Sequence, residues 1–524
     1  MKITKQSLNS NSTDSESSEG CNGILLKIAG VILFFLLLFN LFAYLDYITK
    51  LIKCPYPAEY GEGVVYNLCF RMISGEKIYH PIDEIPYVHT PYTPLYFFVS
   101  STLMKITSVS PVICRSVSIA SAFGIAIIVF LLVFFRTGSY FAALLFSLFL
   151  FSSPFFFEWT PLIRVDTIGI FFTLIGLMLA SSYKEKDYYI YISIPFFLIA
   201  IMTKQSLFAA PFAVIIYLIF VNWKKAVKFI GIFSGSLVLL YYIMQNITEG
   251  NFYFHALRCN LISFDLSAAL MALGITGTAY YGLVSLSVLS FFMALKDKEI
   301  TPAHIYLVTT FFTALSIGKE GGANNHLIEF VIACSINAGF AAVYFQRRLN
   351  LNFRKAGMLF PVILMLAQVI SLYFIDTSIT NKMSRKSLGS KKKPVAWTPY
   401  NQSKLPEYDR LDVKQYIQVS KYIKNVAGPV LCENVGLLTV NGKKVFYQPF
   451  QFKHLAQMGK FDESKILTMI KNGEFDLVIM TRNSVEDGYS WLYSDRIIDA
   501  IWQNYAPIKT IGEYDIYAYI RGLM

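Results

Sequence analysis

Long apolar runs recur through the first 380 residues of this 524-residue chain, and no other feature narrows its fold as far. Runs of roughly 18–24 apolar residues are long enough to cross a bilayer core of about 30 Å as helices. Only 15% of the residues are charged, whereas soluble domains carry about 25%. The pattern predicts an all-α polytopic membrane protein of about 11 transmembrane helices, closed by a small C-terminal α/β domain. The net charge of +12 does not point to nucleic acid, because much of it sits in short loops between spans, where the positive-inside rule puts it.

Those loops alternate in character. One set is basic: Arg136, Lys184–Lys186, Lys224–Lys228, Lys296–Lys298 and Arg347–Lys355. Placed in the cytoplasm, it fixes the rest. Residues 1–23, polar and rich in Ser and Asn, read as a disordered cytoplasmic tail. Residues 24–380 are the membrane domain, with a first outer loop over 50–111. Within that loop Leu95–Ile106 is too short to span and reads as an interfacial or re-entrant helix. Residues 381–405 form a basic linker, and 406–524 a small extracytoplasmic α/β domain. There, helices are expected over 412–426 and Ser464–Lys471, and strands at Pro429–Cys432, Lys444–Tyr447, Asp476–Met480 and Tyr514–Tyr519.

The outer loops hold nearly all the unusual polar residues. Ionisable groups near hydrocarbon are costly, so their crowding at one side marks a functional site. Glu59 and Glu62 stand one helical turn apart after the first span. Either suits a general base, and either equally suits a helix cap or a solvated surface. Arg115, Arg164, Lys204 and Lys319 supply cations that suit a phosphate group, or that snorkel and form structural ion pairs. Arg164 and Asp166, two apart, should meet different partners. Glu320 leads into GGANNH (321–326), whose Asn324, Asn325 and His326 can approach a ligand. Tyr92 lies in an aromatic, proline-rich segment fit for membrane anchoring or sugar stacking. His80 and His89 read as ordinary loop residues. Cys54 and Cys69 share the first outer loop, as free thiols or as a disulfide. No metal ligand set is evident and no nucleotide-type phosphate loop follows a strand; a divalent metal is left open, with no cofactor assigned.

The order of these marks resembles the GT-C membrane glycosyltransferases, in particular the protein mannosyltransferase and aminoarabinose transferase-like group. The resemblance runs through YGEG (60–63), Gly75–Tyr79, PYTPLY (91–96), Arg115, the R-x-D at 164–166, TKQ (203–205) and GKEGGANNHLIE (318–329). It implies a polyprenyl- or dolichyl-phosphate sugar as donor, a membrane-lipid setting, and an acceptor hydroxyl on protein, lipid or glycan. It implies transfer with inversion on the non-cytoplasmic face of a bacterial, archaeal or endoplasmic-reticulum membrane. The catalytic carboxylates would be Glu62, then Glu59 and Asp166. Arg115, Lys204, Lys319 and Arg164 would hold the donor phosphate; Tyr92, Glu320, Asn324, Asn325 and His326 would contact substrate. The Asp of the family's acidic pair falls here at Gly61. A transporter of lipid-linked sugar would instead place its polar site near the midplane, and a non-catalytic scaffold would tolerate neutralising these charges.

Overall fold

In the computed structural model, which describes residues 10–182, 186–348, 354–374, 413–482, 485–486, 489–490 and 492–520, the apolar runs are helices. Backbone in hydrocarbon has no water to bond, and a helix satisfies it internally. The chain passes from α1 (Ser10–Lys53) into α2 (Tyr60–Ile73) and α3 (Leu95–Ile106). The bundle follows with α4 (Pro111–Thr137), α5 (Tyr140–Phe149), α6 (Pro154–Trp159), α7 (Val165–Ser181), α8 (Tyr189–Ile201), α9 (Ala209–Val221) and α10 (Trp223–Ile247). After α11 (Asn251–Ala256) come α12 (Leu266–Ala279), α13 (Tyr281–Lys296), α14 (Pro302–Ala314), α15 (Ile328–Arg348) and α16 (Arg354–Leu372).

The apolar segments fall where the sequence puts them, but their lengths differ. Among the described residues four helices are long and apolar enough to cross a membrane: Ile24–Lys53, α4, α10 and Asn324–Tyr344. The α12–α13 pair makes a fifth if counted together, although it bends by 95°. Seven further apolar helices have only 10–17 residues, short of the ~20 of a full crossing. The expected count of about 11 transmembrane helices is therefore not confirmed by length and composition alone. Helix α1 is already helical at Ser10, so the segment expected to be a disordered tail is helical from there; residues 1–9 and the basic linker lie outside the described residues.

Burial orders the bundle. The Asn324–Tyr344 segment is 94% buried and forms its centre, while α10 is only 11% buried and lies at its rim. The α12–α13 break is chemically repaired inside the apolar interior. The fully buried Gln368 of α16 donates to Ala279 O (2.6 Å) and accepts from Gly282 N (2.7 Å), bonding backbone groups on either side of the bend.

The predicted short helix is α3, pinned flat against its neighbours. Tyr96 donates to Cys114 O (2.9 Å) on α4, and Ser101 donates to Cys69 O (3.0 Å) on α2.

The C-terminal domain has α17 (Val413–Asn425), β1 (Val430–Cys432), α18 (Val435–Val440), α19 (Pro449–Gln457), α20 (Ser464–Lys471), β2 (Leu477–Thr481), a small β3–β4 pair (Val485–Glu486, Tyr489–Ser490), α21 (Asp495–Asn504), β5 (Tyr505–Ile511) and β6 (Tyr514–Tyr519). Its main sheet has the order β1-β2-β6-β5, with β1 parallel to β2 and the other pairs antiparallel. Alternate strand residues face opposite layers. Leu431, Val478 and Met480 pack with the α19–α21 side chains. Val430, Cys432, Leu477 and Ile479 join a core that also contains Val64, Val65 and Leu68 of α2. The sheet and the first loop of the membrane domain thus share one apolar core. The strand expected at Lys444–Tyr447 is absent; only an isolated bridge joins Tyr447 to Tyr87.

Candidate active site

Glu59 is the N-cap of α2. Its extended backbone (φ −153°, ψ 166°) turns the carboxylate back to accept from Gly61 N (2.8 Å), as an N-cap does. Its other oxygen lies 2.7 Å from Nη2 of Arg164, whose guanidinium sits over the Trp159 ring at 5.3 Å. Gly61 leaves room for this. A Cβ there would lie 2.5 Å from Arg164 Nη2. The space a side chain at position 61 would occupy is therefore filled by Arg164, held against Glu59.

Glu62, one turn on, is fully buried and closed. Arg115 binds it with Nε and Nη2, both at 2.8 Å, and the amides of Ala58 and Ile163 donate at 2.5 and 3.0 Å. Burial alone would push the Glu62 carboxyl up; Arg115 and the two amides outweigh it and hold it below the usual carboxylate range. The rest of Arg115 is spent on the carbonyls of Leu51, Cys54 and Tyr56. Neither side chain is open to substrate, so the geometry disfavours Glu62 as base and Arg115 as phosphate ligand. What the pair does is positional: Ala58 and Ile163 are the residues directly before Glu59 and Arg164.

The R-x-D splits as its spacing predicts. Asp166 Oδ1 meets Lys204 Nζ at 2.5 Å and Asn325 Nδ2 at 3.0 Å. Its Oδ2 is buried, with no hydrogen-bond partner among the described residues. These side chains line a cavity of about 190 Å³ with Ser206, His326 and Glu329. Burial opposes the charge on Lys204, but Asp166 prevails and holds the ammonium above the ordinary lysine range. Lys319 is shifted the other way, by partial burial and then by repulsion from Lys204. No carboxylate pairs with Lys319 among the described residues. Asp166 is thus the ion-pair partner of Lys204, and Lys319 is a second cation that feels Lys204.

Other expected residues divide. Asn325 and His326 line the cavity, His326 with Nδ1 against Ser316 Oγ (2.7 Å). Asn324 is buried at the start of the same turn. Tyr92 lies within electrostatic reach of Arg164 and Lys204. Glu320 faces away, accepting from Ser263 Oγ (2.6 Å) and lying 3.5 Å from His454 of α19. His80 and His89 are buried and bonded to backbone carbonyls, and Cys54 and Cys69 are free thiols. No three His, Cys, Asp or Glu side chains group as metal ligands among the described residues, so no step is assigned to a cation. The sequence reading missed Trp159, Ser316 and Glu329. Glu329 ends the GKEGGANNHLIE stretch and accepts from Tyr306 Oη (2.9 Å), a contact that helical spacing alone does not reveal.

Residues 89–248 match the sequence model of the family described as dolichyl-phosphate-mannose-protein mannosyltransferase. The solved structure of ArnT from Cupriavidus metallidurans in the apo state aligns with a TM-score of 0.61 at 12% identity, covering 93% of this chain and 98% of that one. ArnT bound to undecaprenyl phosphate gives 0.58 at 12% identity with the same coverage. None of the curated proteins matches the sequence. The chain shares the fold of ArnT across nearly its whole length and matches the mannosyltransferase family model over residues 89–248.

Proposed function

We propose that this integral membrane protein transfers a sugar from a polyprenyl-phosphate donor to an acceptor hydroxyl. The observation that carries the reading is the cavity in which Lys204 meets Asp166, with Lys319 near enough to repel Lys204, beside an arginine-held carboxylate at one end of an apolar bundle. The donor phosphate enters as negative charge against Lys204 and Lys319. Asp166 fixes Lys204 through Oδ1 and offers Oδ2 to a sugar or acceptor hydroxyl. Glu59 takes the acceptor proton; the acceptor oxygen attacks the anomeric carbon, and the bond to the phosphate oxygen breaks with its electron pair leaving on the phosphate. The lysines stabilise that developing charge. A single displacement inverts the anomeric centre.

The site lies on the non-cytoplasmic side in this reading. Arg136 pairs with Glu299 (2.8 Å) and Lys225 with Asp187 (2.5 Å), tying basic loops together at the ends of α4 and α10 remote from the site, where the positive-inside rule expects cytoplasm.

The test is transfer in liposomes from radiolabelled polyprenyl-phosphate sugars to a membrane extract, with wild type, Lys204→Ala and Asp166→Asn. Transfer by wild type that both folded variants lose supports the reading. Turnover untouched by either substitution would sink it.

A further inference from the structure

The segment that carries Glu59 is gripped almost residue by residue by the C-terminal domain. Tyr56 stacks on Tyr416 of α17, ring centroids 5.2 Å apart. Tyr60, next to Glu59, donates to Gln451 Oε1 (2.9 Å) and accepts from Phe450 N (3.3 Å), both at the start of α19. Gly63 meets Gly436 of α18: a Cβ on Gly63 would lie 2.9 Å from Gly436 N, and one on Gly436 only 2.2 Å from Pro57 Cγ. Asn67 donates to Thr439 Oγ1 at 3.0 Å.

The same α19 also reaches the other half of the site. Phe450 covers Gly321, where a Cβ would lie 2.6 Å from the ring, and His454 faces Glu320. Gly321 and Glu320 directly follow Lys319. One short helix therefore touches both the turn bearing the carboxylate and the loop bearing Lys319.

We infer that the C-terminal domain is part of the catalytic apparatus, with α19 setting the position of Glu59 relative to Lys319 and Tyr60 acting as a positioning residue. The inference rests on the transferase reading above. Tyr60→Phe keeps the ring and removes both hydrogen bonds to α19. It lowers kcat on the order of ten- to a hundredfold, the scale of a small misplacement of a reacting group, with donor KM unchanged. A residue serving only stability would lower the melting temperature and leave kcat per folded molecule intact.

A second readout does not depend on turnover. Trp159 lies under the Arg164 guanidinium, so its emission reports the Glu59–Arg164 geometry. In full-length protein with Trp223, Trp397, Trp491 and Trp502 changed to Phe, Tyr60→Phe should move Trp159 emission in the direction that Glu59→Gln does. Gln451→Leu should do the same to a smaller extent, and the double variant should add nothing to Tyr60→Phe, which already removes the bond to Gln451. Emission and kcat both equal to the parent would overturn the inference. If wild type transfers no sugar from any donor, the transferase reading falls, and the emission shift still decides whether α19 positions Glu59.

Discussion

Glu59 and Glu62 are one turn apart, and their surroundings give them different chemistry. Glu62 is taken out of water with every oxygen lone pair engaged, whereas the Glu59 side chain is 27% exposed. Removing one partner of a buried pair leaves the other charge uncompensated, at about 3–5 kcal/mol. Glu62→Gln is therefore predicted to lower the melting temperature sharply in detergent. Glu59→Gln touches a partly solvated pair and should cost about 1 kcal/mol or less. Lys319→Gln should leave stability unchanged or slightly raised, because it relieves repulsion with Lys204, while donor KM rises about tenfold; a melting curve measures the first and titrating donor at fixed enzyme the second. The residues of this site were largely legible in the sequence, because ionisable groups beside apolar spans stand out. Their division of labour was not, since Glu59 and Glu62 differ only in what folds around them.

At the scale of elements, apolar periodicity locates helices well and their interruptions poorly. Leu95–Ile106 and Ser464–Lys471 are helices at the expected bounds, and Tyr514–Tyr519 is the expected strand. The bend between α12 and α13 was invisible because both arms are apolar; what permits it is Gln368, a helix away. Gln368→Leu leaves buried backbone groups unsatisfied, at about 1–3 kcal/mol each, and should appear as lost thermal stability. Strand β5 was missed because Pro507 interrupts its register with β6, as suits an edge strand.

A second element-scale prediction concerns the junction of the first loop with α11. His89 and His255 stack at 5.3 Å, and burial pushes them down to about 4 and about 3. Both are neutral when folded and bind protons more readily when unfolded, with a pKa near 6.5. Their stabilisation is complete above about pH 6.5 and lost as pH falls toward 4. Each contributes a slope of about 1.4 kcal/mol per pH unit in that window. Melting curves from pH 7 to 5 should show the loss, and His255→Phe should flatten it.

For the whole molecule, the decisive contacts join residues 372–391 positions apart. No local pattern encodes such pairings, so the sequence reading left the C-terminal domain without a role. Gly436→Leu forces side-chain atoms into Pro57 and should cost about 1–3 kcal/mol as overpacking. It should also lower transfer far more than a substitution of equal stability cost on the exposed face of α10, comparing activity with melting temperature. The central claim is that sugar transfer runs through Glu59 with Glu62 as its support. The most direct measurement is the initial rate of transfer by Glu59→Gln at matched concentration of folded protein. The account predicts a fall of roughly 10²–10⁴-fold, the range of general base catalysis, with the melting temperature nearly unchanged; a rate equal to wild type would contradict it.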